Sequence, residues 1–525
     1  MTEALGQVVR LLLGLGFLHV VGYAGFRLAC PQPGAFSRPE RFSLSFGLGA
    51  LGVSLWMLGL SALALPFHPS LLLLPLGLAA GAVFLTMRRP PAGPSPTPAP
   101  EPASPDWTGF EKLCLGLLAA LFIFAFLRAS LFPLWAWDAI ATWGFKAKVF
   151  HLRQGVDFTG FSAHNYYPNL VPLLLTFLYG CLGRVNDHLV QALFPYWGAM
   201  LLILLAAFLR RLGLSRPQAL GVTAFFASSG VTFITHLYIA YADLALTYYA
   251  LAGSGLTYLW LRDQAPPGSL PVAALMGAGL AWTKFEGPPL AATIVLAALL
   301  TLLWLRPPRL WRRLAALGWL VGGILLGVLP WRLFMQARQI EVGSDHILSF
   351  FPHQLLQALP PFFKMLASPW GFGFLWWAAL TAVILTGRRL FATPRLFLAL
   401  LLAGNLLAVL LGYALPPTSA EEFPFYVRAT LDRLLLHIAP LAALLVGEAV
   451  MDVGGGGRWA PAPSSVSPPS TPEKTGREGE PLARLPCPIC GLGGGAERGQ
   501  GPQIPALPRH QPIPVYTPRP RISWR

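Results

Sequence analysis

The sequence predicts an all-α polytopic membrane protein of about thirteen transmembrane helices, with an outer first loop that carries juxtamembrane helices. Three observations predict it. The 525 residues are 55% hydrophobic and only 11% charged, where a soluble protein carries roughly 25% charged residues. Apolar runs near the ~20 residues needed to cross a bilayer recur along most of the chain. The arginines, behind a formal net charge of +16, fall mostly in short segments between those runs, as the positive-inside trend expects. That charge speaks for membrane orientation and against nucleic-acid binding, which needs a basic face on a soluble domain.

Apolar runs at 7–28, 44–65 and 69–87 form a three-helix leader, residues 1–87. The first run lacks a small-residue cleavage site, so it reads as a span rather than a removed signal. Residues 88–111 are a Pro-rich cytoplasmic linker that cannot build a core. The main membrane domain, 112–452, continues with runs at 112–132, 188–209, 217–236, 241–261, 270–283, 287–305, 314–334, 370–386, 395–415 and 433–451. From 453 to 525 the apolar pattern stops, and Pro/Gly-rich composition predicts a disordered tail.

Orientation follows from four basic clusters: Arg88–Arg89, Arg210–Arg211 with Arg216, Arg306 to Arg313, and Arg388–Arg389 with Arg395. They share the cytoplasmic side only if the apolar stretch 168–182 does not cross. That stretch is then a juxtamembrane or re-entrant helix in the loop opening at Pro133, with the N-terminus outside and the C-terminus inside. The polar residues left over gather on the outer side, although they played no part in setting the topology.

Asp138 follows a span among Trp135, Trp137 and Trp143. A carboxylate near lipid can serve as a general base; it can also simply cap the next helix beside an interfacial tryptophan belt. Asp243 opens a span after His236 and Tyr241, where a negative charge suits the helix dipole as well as chemistry. Lys284 and Glu286 interrupt two apolar runs; they can neutralise each other in a tight turn, or the lysine can meet a phosphate. Arg433 is expected at a helix start, where a cation opposes the dipole and calls for a nearby anion, either Asp432 or a bound phosphate. His437 and the other isolated histidines lack ligand spacing, and Cys487 and Cys490 form one CxxC, half of a zinc site at most. A divalent metal is therefore not expected. No phosphate loop, HExxH or GxSxG motif is present.

The order of these features resembles a known family. A span, an outer loop opening with Asp138, the Tyr167-Pro168-Asn169 helix start, the Arg210–Arg211 turn, Ala242-Asp243, "TKFEG" at 283–287 and "DRLLLHIAP" at 432–440 are similar to the C-type membrane glycosyltransferases, specifically the protein O-mannosyltransferase-like family 39 group and its bacterial relatives. The likeness covers roughly 108–450. It implies that 112–452 is a C-type glycosyltransferase domain in the cell (inner) membrane with its active site on the outer face. It also implies an inverting transfer of a sugar from a polyprenyl-phosphate donor to an acceptor hydroxyl. Asp138 would be the general base and Asp243 the second catalytic acid residue. Lys284 and Arg433 would bind the donor phosphate with help from Lys146 and Lys148, and Glu286, Tyr167, His236 and Tyr241 would line the acceptor or sugar pocket. Expected partners are the lipid-linked donor, membrane lipids and an acceptor of unspecified class, with no nucleic acid. Where many relatives carry a second acidic residue after the loop aspartate, this chain has Ala139, and the double proline of relatives is a single one here. The rival class is a multi-span transporter or flippase for lipid-linked sugars; a transporter would instead favour ionisable groups in mid-span and inverted repeats.

Overall fold

The computed structural model describes residues 2–87, 106–342, 350–415 and 418–454. Most of the expected linker and all but the first residues of the expected tail lie outside them. Within the described residues every regular element is helical.

The first three helices are α1 (Thr2–Ala29), α2 (Arg38–Ala62) and α3 (Pro69–Thr86). A capping box starts α2: Ser37 Oγ accepts the Glu40 amide and the Glu40 carboxylate accepts the Ser37 amide, satisfying two end donors. α1 and α2 approach as closely as helices can. A Cβ on Gly49 would stand 1.8 Å from the Leu18 carbonyl oxygen, so only glycine permits the contact. α4 (Gly109–Leu131) opens on a second capping box, between Thr108 and Glu111. The following loop carries a π-helical turn over Ala139–Trp143, then α5 (Gly144–Arg153) and α6 (Leu170–Leu182). After these come α7 (Asp187–Val190), α8 (Leu193–Leu212), α9 (Arg216–Ser228), α10 (Val231–His236), α11 (Asp243–Leu261), α12 (Ser269–Thr283) and α13 (Gly287–Leu305). α14 (Leu310–Ala316), α15 (Gly318–Ala337), α16 (Pro352–Ala367), α17 (Pro369–Phe372), α18 (Leu375–Thr386), α19 (Arg389–Ala392), α20 (Arg395–Gly412), α21 (Phe423–Leu436) and α22 (Ala439–Gly454) complete the bundle.

Among the described residues, eight helices are long and apolar enough to cross a membrane, and α21 with α22, bent by 44° at their junction, would make a ninth. The thirteen crossings expected from the sequence are not reached on that measure, for identifiable reasons. The run 217–236 breaks after Ser228 into α9 and α10, while α12 has 15 residues and α18 has 12. α11 is long enough at 19 residues but less apolar; it is buried from Asp243 through Leu259 and meets other helices instead of lipid, so polar Thr, Ser and Tyr are tolerated. α6, the expected juxtamembrane helix, has 13 residues and reaches only ~20 Å at 1.5 Å per residue, short of a ~30 Å hydrocarbon core.

The leader is built into the interior. Tyr248 and Tyr249 of α11 donate to the carbonyls of Ser43 and Gly47 in α2, at 2.6 and 2.7 Å. Ser43 Oγ donates to the Met200 carbonyl at 2.8 Å, and Trp282 Nε1 donates to Ser54 Oγ at 3.0 Å.

Ion pairs mark one end of the bundle. Arg211, closing α8, pairs with Glu40 at the start of α2, and Arg216, opening α9, pairs with Glu111 at the start of α4, both at 2.5 Å. Arg313 meets Asp263 at 2.6 Å. Arg262, just past α11, and Arg395, opening α20, both bind Glu448 near the end of α22. Several arginines that the sequence assigns to one side of the membrane thus share one end of the fold. The charged residues of the candidate site lie at the opposite end of α11.

Candidate active site

Asp243 is the first residue of α11, and its side chain is wholly buried. Three donors from two other elements converge on it. Lys284 Nζ, at the C-terminal end of α12, lies 3.0 Å from Oδ1. His437 Nε2, between α21 and α22, lies 3.0 Å from the same oxygen. The Arg433 guanidinium donates to Oδ2 at 3.0 and 3.2 Å. A buried carboxylate is stable only when it is paired and hydrogen-bonded, and here both oxygens are engaged.

Arg433 reaches further. One of its nitrogens is 2.7 Å from Asp138 Oδ2, so a single guanidinium bridges two carboxylates, one buried and the other 29% exposed. Its carbon lies 4.5 Å from the centre of the Tyr241 ring, a cation–π distance. The Tyr241 hydroxyl oxygen accepts the Asp138 amide at 3.4 Å. Asp138 does sit in the N-cap position of the π-helical turn, but its side chain makes no capping bond; it is spent on Arg433 instead. π-turns recur at functional sites. On the far side of Lys284, Glu286 pairs with the same ammonium at 3.0 Å and is 33% exposed, and its other oxygen is buried without a partner among the described residues.

Asp138, Asp243, Lys284, Glu286, Tyr241 and Arg433 are thus brought into one constellation from loop, helix-start and helix-end positions. Arg433 corrects the sequence expectation in two respects. It lies in the last turn of α21, where a cation complements the helix dipole, and its anions are Asp138 and Asp243. The Asp432 carboxylate accepts the Arg433 amide, at 2.9 Å. His437 was read from the sequence as an ordinary residue and proves to be a partner of Asp243. Its spacing of four from Arg433 is the local signal that places both on one helical face.

Other candidates have different surroundings. Tyr167 stacks between His164 and Phe285, with ring centroids at 5.2 and 5.9 Å; Phe285 stands between Lys284 and Glu286 in the chain. His236 is buried, holds the Thr232 carbonyl at 2.7 Å through Nδ1, and meets the Tyr241 ring edge-on at 6.1 Å. Lys146 is fully buried and donates to the His164 carbonyl at 2.8 Å between the Trp143 and Phe158 rings. Burial pushes its ammonium down to about 7. Lys148 pairs with Asp187 at 2.6 Å. Lys146 thus ties α5 to the loop before α6 and Lys148 ties α5 to the start of α7, both outside the Asp243 constellation. Trp135 and Trp137 are exposed, as a belt residue would be, and Trp143 is buried. Among the described residues no group of three or more His, Cys, Asp or Glu is placed to hold a metal ion.

Known proteins add little to this geometry. No family model matches the chain, and no curated protein matches it. Among solved structures, the crystal structure of ArnT from Cupriavidus metallidurans in the apo state is similar, with a TM-score of 0.47 and 14% identity. The match covers 65% of this chain and 60% of that one.

Proposed function

We propose that this chain is a C-type membrane glycosyltransferase of the family 39 kind, moving a sugar from a polyprenyl-phosphate donor to an acceptor hydroxyl on the outer face of the cell membrane. One observation carries the reading: a buried Lys284 and a largely buried Arg433, both anchored on a carboxylate, stand beside a partly exposed carboxylate, Asp138, at the end of apolar helices. Cations fixed in advance suit a phosphate that gains charge as it leaves. The lipid-facing exterior suits a prenyl chain.

In this mechanism the donor phosphate takes up hydrogen bonds from Arg433 and Lys284. It competes with Asp138 for the guanidinium, so donor binding releases the base. Asp138 removes the acceptor hydroxyl proton; the acceptor oxygen bonds to the anomeric carbon; the bond from that carbon to the phosphate oxygen breaks, and the electron pair departs with polyprenyl phosphate. Attack opposite the leaving group inverts the anomeric centre. Asp243 holds both cations and His437 in place rather than meeting the acceptor, because both its oxygens are occupied.

Charges at helix ends rather than in mid-helix favour transfer over transport. The test is transfer from a radiolabelled polyprenyl-phosphate sugar in membranes holding the wild type or Arg433→Gln. The reading predicts donor-dependent labelling by the wild type and its loss in the variant. Labelled lipid that crosses vesicle membranes unchanged, with no transfer, would replace the enzyme with a flippase.

A further inference from the structure

A cavity lies on the far side of Tyr166 from Phe285, the neighbour of Lys284 and Glu286 in the chain. Its volume is about 880 Å³, within the range of small-molecule sites, and none of Asp138, Asp243, Lys284 or Arg433 lines it. Three segments far apart in sequence build its wall: the turn after α2 from Ser61 to Pro66, the stretch from Arg153 to Tyr166 between α5 and α6, and the end of α15 with the residues on to Glu341. The segments are tied together. The Val156 amide donates to Ser61 Oγ at 2.9 Å, the Phe67 amide to the Gln154 carbonyl at 2.9 Å, and Arg338 to the Ser61 carbonyl at 3.2 Å. The cavity is therefore part of the packed fold, and the leader supplies one of its walls.

Its chemistry differs from that of the cluster. The charged lining residues are two arginines, Arg153 and Arg338, and two acids, Asp157 and Glu341, so their formal charges cancel. Arg153 and Asp157 already pair with each other at 3.1 Å. An anion such as a phosphate finds no net field here. What remains includes the Ser162 hydroxyl and the Gln339 amide, with the Asn165 amide already bonded to the Ala163 amide and the Phe161 carbonyl, beside apolar Leu65 and Phe158. Groups that both donate and accept, next to apolar surface, suit an uncharged polyhydroxylated ligand. Tyr166 joins the two regions: it lines the cavity, and its ring meets Phe285 edge-on at 5.9 Å, between Lys284 and Glu286 in the chain.

We propose that this cavity binds an uncharged carbohydrate and that this carbohydrate is the acceptor, seated against the leader with its Tyr166 side toward the charged cluster. The acceptor role rests on the transfer reading above; the binding of a neutral saccharide does not.

The test uses the full chain in lipid nanodiscs and a panel of neutral oligosaccharides of mannose, glucose, galactose and N-acetylglucosamine, with inorganic phosphate as the charged control. Binding is read by saturation-transfer NMR. Ser162→Trp and Leu65→Trp plug the cavity from two different walls at exposed positions, and unchanged thermal midpoints show that both still fold. The expected result is binding of at least one neutral saccharide, not competed by phosphate and weakened about tenfold or more by each plug. No binding by any member of the panel, or binding indifferent to both plugs, overturns the proposal. Release of label from the polyprenyl-phosphate donor is measured in the same samples. Saccharide binding without any donor turnover in the wild type would count against the transfer reading alone.

Discussion

α11 ends in a buried charge cluster on each side, and the two clusters differ. At one end Glu448, wholly buried, holds Arg262 and Arg395, and Arg395 holds Asp452 through two bonds at 2.6 and 2.8 Å. Two cations meet two anions, and of these acids Asp452 is 26% exposed. At the other end Asp243 is as deeply buried, but its cations reach on to Asp138 and Glu286, which are 29% and 33% exposed. The first arrangement is complete without a ligand. The second leaves partly exposed carboxylates on cations that an incoming anion could claim. Deep burial and a partly exposed acid are common to both ends; the second differs in that each of Arg433 and Lys284 also holds a partly exposed carboxylate, whereas Arg262 holds buried Glu448.

The comparison can be broken by substitution. Asp243→Ala is expected to have the largest effect. It strands Lys284, Arg433 and His437 together, and removing one partner of a buried ionic set costs about 3–5 kcal/mol, so both the thermal midpoint and transfer should collapse. Glu448→Gln comes next, with a loss of about 3 kcal/mol seen in thermal unfolding, but transfer per folded molecule should stay at the wild-type level. Equal loss of specific activity would erase the distinction between the two ends.

Lys146 sharpens the comparison by pH. Its ammonium is depressed in the fold to about 7 from an ordinary 10.5, so between those values the unfolded chain holds a proton that the folded chain lacks. Stability should therefore rise with pH across that window and level off below it. Lys146→Met should flatten the rise in a pH series of unfolding midpoints. Tyr249→Phe should have the smallest effect. It removes one bond to the Gly47 carbonyl and should cost about 1 kcal/mol, read as a small drop in midpoint that shows the leader to be part of the cooperative unit.

Much of this was legible in the sequence because charge is scarce in such a chain. A lone Asp138 after a span, or Lys284 between two apolar runs, is conspicuous, and the 13-residue length of α6 agrees with the short helix that the arginine clusters call for. The rest depended on contacts between distant segments. Arg433 meets Asp243 across 190 positions, which no local spacing reports, so its neighbour Asp432 looked like the natural partner. The sequence set Arg433 at a helix start because the apolar run resumes there, whereas the backbone turns at 437–438. Lys146 and Lys148 are expected from the sequence to help bind the donor phosphate; their partners, the His164 carbonyl and Asp187, come from beyond their own helix and have no local signal. The leader looked separable because the linker after it is Pro-rich; its bonds to α11 and α12 are invisible in composition.

The most direct test of the account is Asp138→Asn, with sugar transfer and thermal midpoint measured on the same preparation beside Glu448→Gln. The account predicts a loss of transfer of about a hundredfold or more, as for removal of a general base, with a change in stability of only about 0–1 kcal/mol because the Asp138 ion pair is partly exposed. Wild-type transfer by Asp138→Asn, or a loss that merely follows the fraction unfolded, would contradict it.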